Sequence, residues 1–263
     1  MDQGLMTPKL EVRQLSKRFG DLEALQGIDI AIEEGAFIAI VGPSGCGKTT
    51  FLRIVAGLTD ASEGEVRLDG KRVEKPGADR GFVFQSDNLL PWRTVLANAM
   101  IGPEVSGRAG AKERQRTLDL LRLVGLAGFE HYHPRQLSGG MRQRVNLARA
   151  LAVDPTVLLM DEPFSALDAQ TREIMQTELL RIWEKGRKTA LFVTHQIDEA
   201  VFLADRVLVF ARRPGRLQDV VEIDLPRPRR LEMKRTPEFV RTVDRIWRLI
   251  EDDVRASVMQ GEE

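Results

Sequence analysis

The sequence predicts an α/β fold in which buried strands alternate with helices. Three stretches carry that reading. Ile38–Thr50, IAIVGPSGCGKTT, runs from an apolar strand through a glycine-rich loop into a helix. Val157–Pro163, VLLMDEP, is a short apolar strand tipped by two carboxylates, and Thr189–Thr194, TALFVT, is a further buried run. Continuous apolar segments of this length suit parallel strands, whose sheet is covered by helices on both faces.

Totals bound the rest. At 263 residues the chain can form one large domain or a core with a subdomain. Lys plus Arg equal Asp plus Glu at 39 each, so no global field draws the protein to nucleic acid or an anionic membrane, and a protein is the expected surface partner. Cys46 is the only cysteine, which excludes an intrachain disulfide and suits a reducing compartment. Its loop setting is one that can lower a thiol pKa. No apolar run reaches the ~18 residues of a membrane span, and MDQGLMTPKLEV lacks a signal-peptide core, so a soluble or peripheral protein is expected.

In chain order, residues 1–8 read as a disordered leader. KLEVRQLSKRFG and ALQGIDIAIEEG alternate apolar and polar residues, which predicts antiparallel strands with one wet face. Phe19 lies between them, an edge aromatic that can pack or stack on a planar ligand. A helix over Thr49–Ala56 closes at Gly57, and EGEVRLDG and GFVFQ are short strands, the second ending in Gln85. From residue 86 to about 150 the texture becomes helical, interrupted by the loop GPEVSGRAGAKE; NLLPW at its start reads as packing or as a docking surface. The run QIDEAVFLA predicts a helix after His195, Arg206–Ala211 and Leu217–Ile223 the last strands, and PRPRR a solvated linker. Phe239, Val243, Ile246, Leu249 and Ile250 fall on one face of a final amphipathic helix expected to pack on the body.

The chemistry concentrates at a few points. Gly42, Pro43, Ser44, Gly45, Cys46, Gly47, Lys48 and Thr49 fit G-x-x-x-x-G-K-[ST] in the strand, loop and helix context that a phosphate cradle requires. Glycines let main-chain N–H groups approach a polyphosphate, and the helix start adds partial positive charge. Lys48 suits the β- and γ-phosphates, and the Thr49 hydroxyl suits a hard cation such as Mg²⁺. Asp161 suits coordination of that cation, and Glu162 suits the base that orients or deprotonates a water. In LSGGMRQR, Ser138 is a candidate helix N-cap beside Gly139 and Gly140, which again turns free N–H groups outward. His131 and His133 are not spaced as metal ligands.

Taken together, GPSGCGKTT with Thr50, then Gln85, LSGGMRQR, VLLMDEP, SALD and His195 stand in the order and spacing of the ATP-binding subunits of ABC transporters, which the chain closely resembles over nearly its whole length. The resemblance implies a P-loop NTPase with a RecA-like core, an antiparallel β-subdomain and a helical subdomain near 86–150, the ATPase domain covering 9–225 and a linker and helix 226–263. It implies that Phe19 stacks on adenine, that Gln85 senses Mg²⁺ and the attacking water, and that His195 contacts the γ-phosphate. Two copies would sandwich two ATP molecules, with Ser138, Gly139 and Gly140 of one completing the site of the other and Asp168 at the dimer interface. The implied partners are membrane-spanning permease subunits docked near NLLPW and, indirectly, a periplasmic solute-binding protein, which places the chain at the inner face of the cell membrane. FQSDNLLPWRTVLANAMIGPE, the RRPGR turn and TPEFVRTVDRIW are similar to importers of nitrate, sulfonates and taurine. The stretch after Pro214 is too short for the regulatory domain that some importer ATPases carry. An exporter ATPase is the nearer alternative. A soluble DNA or ribosome ATPase fits less well, since no sustained heptads and only one cassette are present, and a module that binds ATP without turnover is the remaining one.

Overall fold

The computed structural model describes residues 8–260, with side chains to Arg255, so the expected leader falls, Pro8 aside, outside the described residues. The chain divides into two compact units, one formed by the chain up to Pro76 together with the chain from Thr189, the other by Gly77–Lys188.

The first unit opens with β1 (Leu10–Phe19) and β2 (Leu22–Ile32), an antiparallel pair closed by the turn Gly20–Asp21. The expected alternation is present: Leu10, Val12 and Leu15 are buried while Arg13 and Gln14 face water. β3 (Phe37–Val41), all five residues buried, leads into α1 (Lys48–Ala56), which starts one residue earlier than the sequence predicts. α1 ends on Gly57, whose N–H donates to Ile54 O while Leu58 N–H donates to Arg53 O, so two terminal carbonyls are satisfied. β4 (Glu63–Leu68) and β5 (Lys71–Arg72) complete an antiparallel sheet of order β2-β1-β4-β5.

In the second unit β6 (Arg80–Val83) stops short of Gln85, which therefore sits in the following loop rather than on a strand. α2 (Val95–Ala99), α3 (Ile101–Val105), α4 (Ala111–Leu123) and α5 (Gly139–Ala152) form the helical part, with α2, α3 and α4 all packed on α5. GPEVSGRAGAKE is thus only partly a loop. GPEV forms most of α3, where Pro103 lies within the first turn and needs no N–H partner. β7 (Val157–Asp161) runs parallel to β6, and α6 (Ala169–Gly186) closes the unit.

Returning to the first unit, β8 (Thr189–Val193), α7 (Ile197–Leu203), β9 (Arg206–Phe210) and β10 (Leu217–Glu222) give the strand order β10-β9-β3-β8. β3 is parallel to both neighbours, and β10 is antiparallel at the edge. α8 (Pro237–Gln260) buries Phe239, Ile246 and Ile250 against α7, β9 and β10, as its 3.6-residue period predicts.

The PRPRR segment is not wholly solvated as its charge predicts: Pro226, Pro228 and Arg230 are exposed, but Arg227 is half-buried and Arg229 buried. Arg227 pairs with Asp205 at 2.7 Å, and buried Arg229 donates from Nη1 to the carbonyls of Val201, Phe202 and Ala204 at 2.9, 3.1 and 2.6 Å. A guanidinium at a helix C-terminus meets both the unpaired carbonyls and the negative end of the dipole. Composition alone carries no trace of that partner.

Candidate nucleotide site

In the first unit the loop after β3 lies against β9 and β2. A Cβ on Gly42 would stand 2.5 Å from Phe210 O, and one on Gly47 2.6 Å from Leu25 Cδ2, so the loop's path is open to glycine alone at both positions. Gly47 is also left-handed (φ 94°), and no side chain caps the start of α1. Lys48 is buried, its Nζ donating to Gly42 O at 2.7 Å and Pro43 O at 2.9 Å. These carbonyls satisfy an ammonium that would otherwise be costly to bury. Ser44 and Gly45 are exposed, Thr49 and Thr50 half-buried. Cys46 is buried, and burial pushes its thiol above the usual range, outweighing the opposing charge of Lys48. The depression that a loop setting can bring is therefore not realised.

Phe19 and His195 also belong to this unit. Phe19 is 49% exposed, with Lys17 Nζ 4.8 Å from its ring centre. His195, exposed at the end of β8, sits between two fixed residues: Thr194 Oγ1 donates to buried Glu199 Oε2 at 2.7 Å and accepts from Gln196 N–H at 3.0 Å.

The acid pair is in the second unit. Asp161 ends β7 and is 3% exposed; Glu162 follows in the left-handed region at φ 47°. The Glu162 carbonyl accepts from Ser165 N–H and Oγ at 3.2 and 2.9 Å, which holds this sparsely populated conformation. Gln85 Nε2 donates to Glu162 Oε2 at 3.3 Å, so residues 77 positions apart meet at one carboxylate.

Ser138 caps α5 as its sequence predicts, accepting from Met141 N–H at 3.2 Å. Asp168 caps α6, accepting from Thr171 N–H at 2.9 Å, and that bond holds its carboxyl below the usual range. The two helix starts adjoin, since a Cβ on Gly140 would meet Leu167 Cδ2 at 3.0 Å.

What sequence reasoning missed is the scaffold behind Gln85. Gln143 and Asn146 donate to Phe84 O at 3.2 and 2.9 Å, Arg149 to the carbonyls of Asp87 and Asn88, both at 2.9 Å, and Arg142 Nε to Asp87 Oδ2 at 2.8 Å. Their signal was present: Arg142, Asn146 and Arg149 fall at i, i+4 and i+7, one helix face. A similar miss is Asn98, fully buried, which accepts from Leu90 N–H at 2.8 Å and donates to the carbonyls of Leu90, Arg93 and Thr94 at 3.0–3.1 Å. Of NLLPW, Leu89 is thereby buried while Trp92 is 71% exposed, so packing and exposure divide that stretch between them.

A glycine-cradled lysine at a helix start, in an α/β unit, defines a P-loop nucleotide-binding protein. Residues 25–165 match the ABC transporter family, and the chain belongs to the ATP-binding subunits of that family, the ABC ATPases. It is 51% identical to an uncharacterized ABC transporter ATP-binding protein of Methanocaldococcus jannaschii over 96% of this chain and 95% of that protein. The taurine import ATP-binding protein TauB of Rhizobium johnstonii is 46% identical over 91% of this chain and 95% of its own length. For the nitrate import ATP-binding protein NrtD of a Synechocystis strain the figures are 46%, 92% and 94%. Among solved structures, a dimeric ATP-binding cassette in a post-hydrolysis state bound to ADP and Pi superposes with a TM-score of 0.74 at 34% identity, covering 82% of this chain and all of that one. No helix among the described residues is long and apolar enough to cross a membrane.

Proposed function

We propose that this ATPase powers import of a small anionic solute of the nitrate, sulfonate or taurine type. Two copies close on ATP and part after hydrolysis, working from the inner face of the cell membrane on permease subunits fed by a periplasmic binding protein. The import-named relatives at 46% identity and the dimeric cassette support this reading. In it, residues 9–225 are the ATPase domain, 86–150 its helical subdomain and 226–263 a linker and helix.

The observation that carries the catalytic part is the Glu162 carboxylate, fixed at a strained position and touched by Gln85. Glu162 is the general base toward the attacking water, Gln85 orients it, and His195 positions the γ-phosphate. Lys48 neutralises phosphate charge, exchanging its loop carbonyls for phosphate oxygens. Main-chain N–H groups of Gly42–Thr50, Pro43 excepted, cradle the phosphates, and Phe19 stacks on adenine. Ser138, Gly139 and Gly140 present a helix start to the partner's γ-phosphate, with Asp168 beside it at the interface.

In this reading the cation is Mg²⁺, which the chemistry of the candidate donor residues suits. Among the described residues no three His, Cys, Asp or Glu side chains could hold a metal between them, whereas a cation that keeps waters and binds phosphates needs only a few hard oxygens. Thr49, Asp161 and Gln85 supply a hydroxyl, a carboxylate and an amide oxygen. When bound, Mg²⁺ neutralises developing charge on the phosphates.

The test is Glu162→Gln. It is expected to bind MgATP, lose turnover by two orders of magnitude or more (about 10²-fold) and elute as a dimer with ATP. Wild-type turnover by the variant would remove Glu162 from this role.

A further inference from the structure

The turn between β9 and β10 lies against the back of the phosphate loop. Arg213 Nε donates to Gly45 O at 2.7 Å. Gly215 is so near that a Cβ there would stand 2.0 Å from Cys46 O, and its backbone is tied to β2 by bonds to Ala24 O and from Gln26 N–H at 3.1 and 3.0 Å. The far end of α8 reaches the same turn, where Asp253 accepts from the Arg212 N–H at 2.7 Å.

Between this turn, the start of β10 and α8 opens a cleft of about 640 Å³, with Arg212, Arg213, Arg216, Gln218 and Asp253 in its wall. Three arginines and one carboxylate residue line it, and that carboxylate accepts a main-chain N–H. None of the three arginines has an ion-pair partner among the described residues, and only Arg213 donates a side-chain hydrogen bond, from Nε, which leaves both of its Nη groups. Elsewhere in the same unit Arg206 and Arg227 are neutralised by Glu33 and Asp205. A cleft wall in which arginines outnumber carboxylates three to one is suited to an oxyanion, which guanidiniums hold through paired, charge-assisted hydrogen bonds.

We propose that this cleft binds a free oxyanion of the sulfate, phosphate or sulfonate class, held by Arg212, Arg213 and Arg216. The bound anion competes with Gly45 O for Arg213 and withdraws positive charge from beside the loop, so it weakens nucleotide binding. This linkage rests on reading Gly42–Thr50 as the phosphate loop. The anion site does not.

Radiolabelled sulfate and equilibrium dialysis test it on the full chain saturated with MgADP, so that the phosphate loop is filled. We expect one sulfate per chain, and binding weaker by about tenfold or more in Arg212→Gln/Arg216→Gln and measurably weaker in Arg216→Gln alone, with unchanged thermal melting. Sulfate is expected to raise the Kd of MgADP about fivefold in the wild type, an effect lost in Arg213→Lys, which has no Nε fork. No uptake of sulfate, or equal uptake by the double variant, overturns the site. Sedimentation with phosphatidylglycerol vesicles that depends on these arginines, without sulfate uptake, overturns it in favour of a lipid headgroup. Sulfate bound with no effect on MgADP upholds the site and removes the linkage, and loss of MgADP binding itself counts against the phosphate loop while leaving dialysis without nucleotide as the measure of the cleft.

Discussion

Lys48 is held in two ways that a substitution separates. Its ammonium is buried and bridges two carbonyls of its own loop. Lys48→Ala removes a preorganised charge, and steady-state hydrolysis should fall by about 10² or more with weaker MgATP binding. Undiminished turnover would refute the phosphate-loop reading. Cys46, two residues earlier, should be inert. Burial favours its protonated form, so labelling by a disulfide reagent at neutral pH should be far slower than in urea and should quicken only as pH climbs past the usual thiol range. The sign follows from the raised value: whatever this thiol contributes to stability is complete below the unfolded pKa of about 8.5 and fades as pH rises through the folded one. Equal labelling rates in native and unfolded chains would show the thiol to be accessible.

Elements that obey one period were legible in the sequence: the buried parallel strands, the wet-faced β1 and β2, the stripe on α8 and the Ser138 cap. Interactions that join distant residues were not. Arg229 reads as one charge in a basic run, yet its three carbonyl partners, grouped at the last turn of α7, lie 2.6–3.1 Å from its Nη1 and more than twenty positions away in sequence. The grip of Arg142, Asn146 and Arg149 on the Gln85 loop was hidden for the same reason, as was the helical start of GPEVSGRAGAKE, where a glycine and a proline signal a break but stand in a first turn that tolerates both. Arg229→Ala leaves buried carbonyls at the end of α7 unpaired, which should cost roughly 2–4 kcal/mol. Chemical denaturation would report this as a lower midpoint at unchanged slope. A midpoint within error of wild type would mean that water reaches those carbonyls.

At the scale of the molecule, the proposed sandwich makes each ATP site a joint product of two chains: one copy lends the phosphate loop, the other the Ser138 helix start. Lys48→Ala and Ser138→Arg should each inactivate a homodimer, because each spoils both of its sites. In a mixed dimer the two lesions fall together in one site and leave the other whole. Equal mixing makes about half the dimers mixed, each with one intact site of two, so about a quarter of wild-type turnover should return if sites act independently. Such recovery requires residues of different chains to share a site, since two dead enzymes that each hold a complete site of their own cannot complement. Mixtures no more active than the variants alone, under conditions where labelled subunits are seen to exchange, would exclude independent shared sites, and a site confined to one chain would then be the simpler reading.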